Sequence, residues 1–295
     1  MRYIRENEST FREGFLMREI DVSCVQQAVY ELFLSACCEI GEDVLALLRK
    51  RLSAEESPFG REVLRQLIEN DELAAKKHMP ICQDTGMAVI FMDIGQEVHF
   101  IGGDVNAAIE EGVRRAYRDG CFRASVLTPL DRVNTKDNTP AIIHMRIVPG
   151  DRVMLTAAPK GFGSENMSRL WMLTPSQGVE GVKNAIVETV RLAGGNPCPP
   201  VVVGVGIGGT AEMAMLMAKR SLTRDCGQPS EDPALAEMET ELLDRINRLG
   251  IGPQGLGGRT TALAVHIEQM PTHIAGLPVA VNMQCHAARH KTAII

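Results

Sequence analysis

Apolar residues recur at helical spacing through the first quarter of the chain. Val22, Val25, Ala28, Val29, Leu32 and Phe33 fall on one face of a helix. Gly41-Glu42-Asp43 opens a second helix through Val44, Leu45, Leu47 and Leu48, with acids in its first turn. Val63, Leu64, Leu67 and Ile68 mark one face of a third, from Arg61 to Lys77. Residues 1–78 are therefore expected to form a helical N-terminal segment with no chemistry of its own.

Beyond residue 78 the pattern becomes mixed. Ala88 to Ile94 reads as a strand, and Val105 to Tyr117 as an amphipathic helix. Ala141 to Val148 and Arg152 to Ala158 read as two strands joined at Pro149-Gly150-Asp151, a hairpin signal. Ser176 to Ala193 is a helix, with Pro175 at its start and Gly194-Gly195 at its end. Val201 to Val205 is apolar throughout, which predicts a central strand. Thr210 to Leu222 and Pro233 to Leu249 read as helices; Thr261 to Ile267 and Val279 to Val281 read as strands. The expected fold is mixed α/β (α+β), with the helical segment followed by a mixed-sheet catalytic domain over 79–295.

Composition narrows the function classes. The 295 residues are 45% hydrophobic, enough for a large core. Net charge is −6 and aromatics are 4%, and the basic residues form no stripe, so nucleic acid is not an expected partner. The opening Met1-Arg2-Tyr3-Ile4-Arg5-Glu6-Asn7-Glu8 is charged and lacks the apolar core of an export signal. The longest apolar run, Val201 to Ala218, is broken by glycines and Glu212, so no membrane span is expected. These readings point to the reducing cytoplasm, where eight cysteines are expected to be free, catalytic or metal-bound. Cys24, Cys37, Cys38, Cys121 and Cys226 lie in helical or charged contexts and receive no role.

Three cysteines stand apart. Cys82 follows Pro80-Ile81 at a helix-to-strand joint, within Cys82-Gln83-Asp84-Thr85-Gly86. Cys198 lies among prolines in Asn196-Pro197-Cys198-Pro199-Pro200, before the apolar strand. Cys285 follows the strand at Val279 to Val281, in Asn282-Met283-Gln284-Cys285-His286. Strand ends of one sheet gather in space, so the three thiols are candidates for one centre. Cys82 alone also reads as a buried cysteine beside a turn-forming Asp. Three distant thiolates suit a structural zinc poorly, since zinc takes four ligands, often in close pairs. His286 is the only obvious fourth ligand for a zinc-stabilised scaffold. Thiolates are the usual ligands of iron–sulfur clusters, and an iron left open acts as a Lewis acid.

Five further stretches carry candidate chemistry. Gly204-Val205-Gly206-Ile207-Gly208-Gly209 satisfies G-x-G-x-x-G, but no second strand ending in an acid follows, which excludes a dinucleotide site. It reads equally as an anion-binding turn or as a tight turn. The glycines of Lys160-Gly161-Phe162-Gly163-Ser164-Glu165-Asn166 would let backbone amides approach a carboxylate. The glycine-rich loop from Gly250 to Arg259 implies backbone packed against a cofactor or partner. Arg123 and Arg132 flank a loop with Asn134-Thr135, and His273 sits in Pro271-Thr272-His273-Ile274. An arginine in a pocket clamps a carboxylate, but both arginines also read as surface charges, and a lone loop histidine is usually uninvolved.

Taken together, Ile81–Gly86, Lys160–Asn166, Asn196–Pro200, Gly206–Glu212, Gly250–Gly258 and Gln284–Arg289 resemble the α subunit, or N-terminal domain, of the iron–sulfur hydro-lyases of the class I fumarase and L-tartrate dehydratase family. The resemblance implies a [4Fe-4S] cluster on Cys82, Cys198 and Cys285. It implies that Gln83, Asp84, Arg123, Gly163 and His273 line a 2-hydroxy-dicarboxylate, with Asp84 and His273 as catalytic candidates. It implies a separate β subunit that brings the group taking the C3 proton, in an α2β2-type oligomer. Phe162 and Glu165 replace smaller residues of the long fumarases, and the tartrate enzymes look different around this loop. Fumarate and malate are therefore the first expected substrates, tartrate the second. An iron–sulfur redox or oxygen sensor is the alternative from another class, although no DNA-binding or signalling element accompanies it.

Overall fold

The computed structural model describes residues 17–295, so the charged opening stretch Met1–Glu8 lies outside the described residues. A short strand β1 (Arg18–Asp21) leads into helices α1 (Val22–Cys38), α2 (Glu42–Ala54) and α3 (Pro58–Lys77). Pro58 at the first turn and Ser57, whose side chain accepts from the Gly60 N–H, start α3 three residues earlier than the apolar pattern alone predicts. Strands β2 (Met87–Gly95) and β3 (Val98–Ile101), helix α4 (Val105–Asp119), and strands β4 (Ile142–Val148) and β5 (Val153–Lys160) follow. A single-turn helix α5 (Phe162–Glu165), strand β6 (Arg169–Leu173) and helix α6 (Gly178–Ala193) come next. The chain continues through β7 (Val201–Gly209), α7 (Ala211–Ser221), α8 (Pro233–Asn247), β8 (Ala262–Thr272), β9 (Leu277–Gln284) and β10 (Lys291–Ile294).

Two four-stranded sheets carry the fold, in the orders β10-β5-β2-β4 and β6-β9-β7-β8. The expected hairpin between β4 and β5 does not form. Strand β2 lies between them, parallel to β4 and antiparallel to β5. The turn at Pro149-Gly150-Asp151 reaches around the end of β2, where the Glu97 N–H donates to the Gly150 carbonyl. Local turn chemistry was satisfied without the pairing it usually closes. The central placement of β7 does hold: it lies between β9 and β8 and is buried along Val201–Gly206.

Helices α1 and α4 cover one face of the first sheet, with Val25, Phe33, Ile109 and Val113 packed on Ile90, Met92 and Leu155. Helices α6 and α8 cover one face of the second, with Ile186, Leu242 and Ile246 on Val203, Val265 and Val281. Leu48 and Leu64 of α2 and α3 join Val202 and Leu263. Helix α7 lies between the sheets. A Cβ at Gly204 would fall 2.1 Å from the Ala218 carbonyl, and one at Gly206 would fall 2.1 Å from the Ala214 carbonyl. These glycines thus sit inside a strand and let α7 press on its backbone; they do not form an anion-binding turn. At its other side α7 sends Arg220 to Asp93 of β2 at 2.6 Å, which Arg146 of β4 also grips at 2.6 and 2.7 Å. Burial alone would raise the Asp93 carboxyl, but the two guanidiniums outweigh it and hold it below the usual range.

Candidate functional site

Cys82 lies in the loop between α3 and β2, and many polar contacts fix that loop. The Ile81 N–H donates to the Cys37 carbonyl at 2.9 Å, and Asn70 Nδ2 donates to the Ile81 carbonyl at 3.0 Å. Tyr117 Oη reaches the Thr85 and Gly86 carbonyls at 2.8 and 3.0 Å, and Asn138 Nδ2 reaches the latter at 3.2 Å. Thr85 Oγ1 accepts from the Arg123 N–H at 3.1 Å. The Arg123 backbone is thereby tied one residue from Asp84, while its side chain stays exposed. Gln83 is exposed as well. A backbone held this way keeps the neighbouring thiol and polar groups in fixed positions.

The Asp84 carboxylate accepts from the Gly86 N–H and from the Phe162 N–H, both at 2.9 Å. The backbone amide of the glycine-rich Lys160–Asn166 stretch thus does meet a carboxylate, and that carboxylate is Asp84's own. Gly163 follows in α5. A Cβ placed there would lie 3.7 Å from the Asn196 carbonyl, which sets α5 against the Cys198 loop.

Cys198 has φ 54°, a left-handed conformation rare for a residue with a side chain, of the kind that gathers at functional sites. Its carbonyl accepts from the His286 N–H at 3.3 Å, so the Cys198 and Cys285 loops are directly bonded. The Gly250–Arg259 loop supports this turn from behind. Gln254 donates to the Pro199 carbonyl through its N–H at 2.7 Å and through Nε2 at 3.0 Å. A Cβ at Gly255 would fall 2.6 Å from the Gly195 Cα. The fixed partner of this loop is therefore backbone of the chain itself.

Cys285 follows β9. The register places Gln284 opposite Val202, at the start of β7 just after Cys198. Burial raises the Cys285 thiol; the Arg289 and Lys160 charges pull it back, and Cys82 pushes it up again. Burial also raises Cys198, and Cys82 adds to that. The His286 N–H on the Cys198 carbonyl and the Arg289 guanidinium on the Asp84 carbonyl bring the three cysteine loops together at one end of the second sheet. The remaining thiols differ. Cys37 packs beneath the Cys82 loop, its Sγ 3.9 Å from the Thr85 carbonyl, and burial pushes it up to about 12, so it stays protonated. Among the described residues no three His, Cys, Asp or Glu side chains close on a single ion.

Two buried cations accompany the cysteines. Lys160 Nζ donates to the Met283 carbonyl at 2.7 Å and to Ser164 Oγ at 2.9 Å, and lies 3.3 Å from Glu165. Burial lowers this lysine to about 8, against the pull of Glu165 and Cys285. Arg289 is 4% exposed and donates through Nη2 to the Asp84 carbonyl. Its Nε and Nη1 have no partner, nor do Gln284 Oε1 and His286 Nδ1. Buried orphan polar atoms are rare in a native fold, and these four all belong to the segment 284–289 that carries Cys285. Soft thiolate donors, buried positive charge and unfilled hydrogen bonds together fit an anionic iron–sulfur group on Cys82, Cys198 and Cys285. Neither the helical pattern around Tyr117 and Asn70 nor the charge count around Arg289 marked these residues; only their tertiary placement does.

His273 is elsewhere. It lies in the exposed turn between β8 and β9, where Thr272 Oγ1 donates to the Gly209 carbonyl at 2.8 Å. That is the far end of β7 and β9 from Cys198 and Cys285, separated by the length of β9, about 25 Å. One chain does not bring His273 to the thiols. The sequence pattern misses this because a histidine twelve positions before a cysteine looks near it, whereas an intervening strand carries it away.

A family profile described as "Fumarate hydratase (Fumerase)" matches residues 26–294. A chain of Methanocaldococcus jannaschii, provisionally named as the alpha subunit of an L(+)-tartrate dehydratase, is 43% identical over 273 residues, covering 90% of this chain and 95% of its own. The L(+)-tartrate dehydratase subunit alpha of Escherichia coli O157:H7 is 33% identical, covering 86% of this chain and 85% of its own. That of Escherichia coli K12 is 32% identical over the same shares. With a family profile spanning nearly all of it and relatives matched over most of their length, the chain is a hydro-lyase and belongs to the fumarate hydratase family.

Proposed function

We propose that this chain is the α subunit of a [4Fe-4S] hydro-lyase that reversibly hydrates fumarate to L-malate. The observation that carries this reading is the convergence of the Cys82, Cys198 and Cys285 loops at one sheet end, beside buried Lys160 and Arg289. When bound, the cluster supplies an open iron, a Lewis acid for the substrate hydroxyl. The chain's own residues do the rest. Arg123, its backbone fixed and its side chain free, clamps one substrate carboxylate. Gln83 donates to the substrate from the same loop, and Gly163 leaves room at the start of α5. Asp84, oriented by the Gly86 and Phe162 amides, delivers or relays a proton to the departing hydroxyl, which leaves as water, and takes that proton back from water in the hydration direction.

The β subunit implied by the relatives' names would bring the base for the C3 proton, in an α2β2-type assembly. His273 belongs to this scheme only as a residue that a second chain would present. Tartrate is the second reading, favoured by the names of the relatives, all tartrate dehydratase subunits. The test is anaerobic purification with the partner subunit, a visible spectrum, and an assay with malate, fumarate and tartrate. A colourless, iron-free protein would overturn the proposal; turnover of tartrate alone would replace the substrate. In the assembled enzyme, Asp84→Asn is expected to lower kcat by about 10²-fold with an unchanged spectrum. A near-normal kcat would remove Asp84 from proton transfer.

A further inference from the structure

We propose that Arg289 is a positioning residue of the cysteine end, which locks the Cys82 loop onto the Cys285 loop and supplies the positive charge that the cluster needs. The proposal rests on the iron–sulfur reading above. Arg289 follows Cys285 by four residues, and its Nη2 donates to the carbonyl of Asp84, two residues after Cys82. One side chain therefore ties two of the three thiol-bearing loops together; the third is bonded to Cys285's neighbour through the His286 N–H.

The remaining guanidinium donors are the second observation. Lys160 spends its donors on Met283, Ser164 and Glu165. Arg289 does not: Nε and Nη1 are buried without an acceptor, and among the described residues no carboxylate pairs with it. Asp71 lies within reach of its charge, but burial raises that carboxyl to about 7, and its Oδ2 is also unpartnered. A space of about 20 Å³ beside Lys160, Gln284 and Arg289 holds no more than one water. One water accepts a hydrogen bond but does not balance a buried charge. An anionic group does both. Three thiolates on an iron–sulfur core carry net negative charge, and their sulfurs accept N–H donors, which also tunes the core's potential. Lysine could keep the charge but not the planar fork whose Nη2 holds the Asp84 carbonyl while Nε and Nη1 stay free to donate.

The test uses the chain made anaerobically with its β subunit, in wild-type, Arg289→Met and Arg289→Lys forms. Three quantities are read: the rate of iron loss to a chelator, the cluster's reduction potential, and amide exchange of residues 82–86 in the iron-free protein. Arg289→Met is expected to lose iron at least tenfold faster, with a lower potential and faster loop exchange. Arg289→Lys is expected to keep the potential near wild type while its loop exchanges faster. Wild-type iron loss and potential in Arg289→Met would overturn the charge role; unchanged exchange in both variants would overturn the clamp. Should Arg289→Met fail to fold, the Lys variant decides alone: slower-than-wild-type or equal exchange at residues 82–86 overturns the proposal. Wild-type protein that takes up no iron would instead sink the iron–sulfur reading, while the exchange comparison still judges the clamp.

Discussion

At one end of β7 and β9 lie Cys198 and Cys285; at the other lie Gly209, Thr272 and the His273 turn. The cysteine end is polar, with Lys160 and Arg289 buried in it, and its loops are joined by the His286–Cys198 backbone bond and the Arg289 side chain. The far end is open, with apolar and charged side chains side by side. It holds a groove of about 660 Å³ lined by Val179, Val182, Leu235, Met238 and Leu277, and Ile274 beside it is 91% exposed. The same strands serve both ends, so the strands themselves do not decide where chemistry occurs. What decides it is where backbone and side-chain donors are fixed around an unfilled space.

Removal of any one thiol should separate the ends most sharply. Cys82→Ser, Cys198→Ser and Cys285→Ser are each expected to abolish the visible absorption of anaerobically prepared protein, whereas Cys226→Ser keeps it. Loss in the Cys226 variant, or retention in one of the three, would break the assignment of the centre to this end.

Lysine substitutions compare buried with exposed charge. Lys160→Met leaves the Met283 carbonyl and Ser164 Oγ without their donor and takes one of two lysines from Glu165, which Lys219 and Asn282 still hold; it should cost about 2 kcal/mol in urea unfolding. Lys183→Met at the far end also breaks pairs, with Glu180 and Glu241, but those carboxylates are 63% and 36% exposed and keep their hydration, so it should cost clearly less. Equal costs would mean that the cysteine end is not the more tightly built of the two.

Gly206→Ala acts between the ends. Its Cβ would strike the Ala214 backbone, so α7 must lift from β7, at about 1–3 kcal/mol. Gly163→Ala, which meets only ordinary contact, should leave Tm unchanged and raise KM for the dicarboxylate. A stable Gly206→Ala protein would show that α7 can settle elsewhere.

The smallest effect is on pH dependence. Asp71 is raised in the folded chain to about 7, above its ordinary range near 4. Between these values the unfolded chain loses its proton while the folded one keeps it, so this group lowers stability as pH rises from about 4 to about 7, with no further change above. Asp71→Asn should remove that slope and raise Tm at pH 8 by about 2 °C or more relative to wild type, with no such gain at pH 4. A gain that is the same at both pH values would assign it to packing.

Much of this architecture was legible. The apolar periods of Val22–Phe33 and Val44–Leu48 predict α1 and α2, because each buries one face against a neighbour. The unbroken Val201–Val205 run predicts a central strand. The edge strands β1, β3, β6 and β10 escaped, since half-exposed strands such as Val98–Ile101 carry little apolar signal. Cys82, Cys198 and Cys285 stood out by their loops and by a family resemblance. Arg289 and Tyr117 did not, because a buried cation or a hydroxyl holding two carbonyls has no local pattern. The G-x-G-x-x-G string misled in a different way: the glycines answer to the helix lying across them, which sequence order does not reveal.

The loops at Cys82, Cys198 and Cys285 also fix an order of events. Residues 82 and 198 are separated by 116 positions, and 198 and 285 by 87. Gathering such distant thiols in an unfolded chain would require closing two long loops, with no sheet to offset the lost freedom. A small zinc module draws its fold from the metal, whereas here β7 and β9 must already be paired before the thiols meet. On the proposed iron–sulfur reading, cluster insertion is a late step on a finished scaffold. Iron starvation should leave a folded, empty subunit ready for loading rather than a misfolded one.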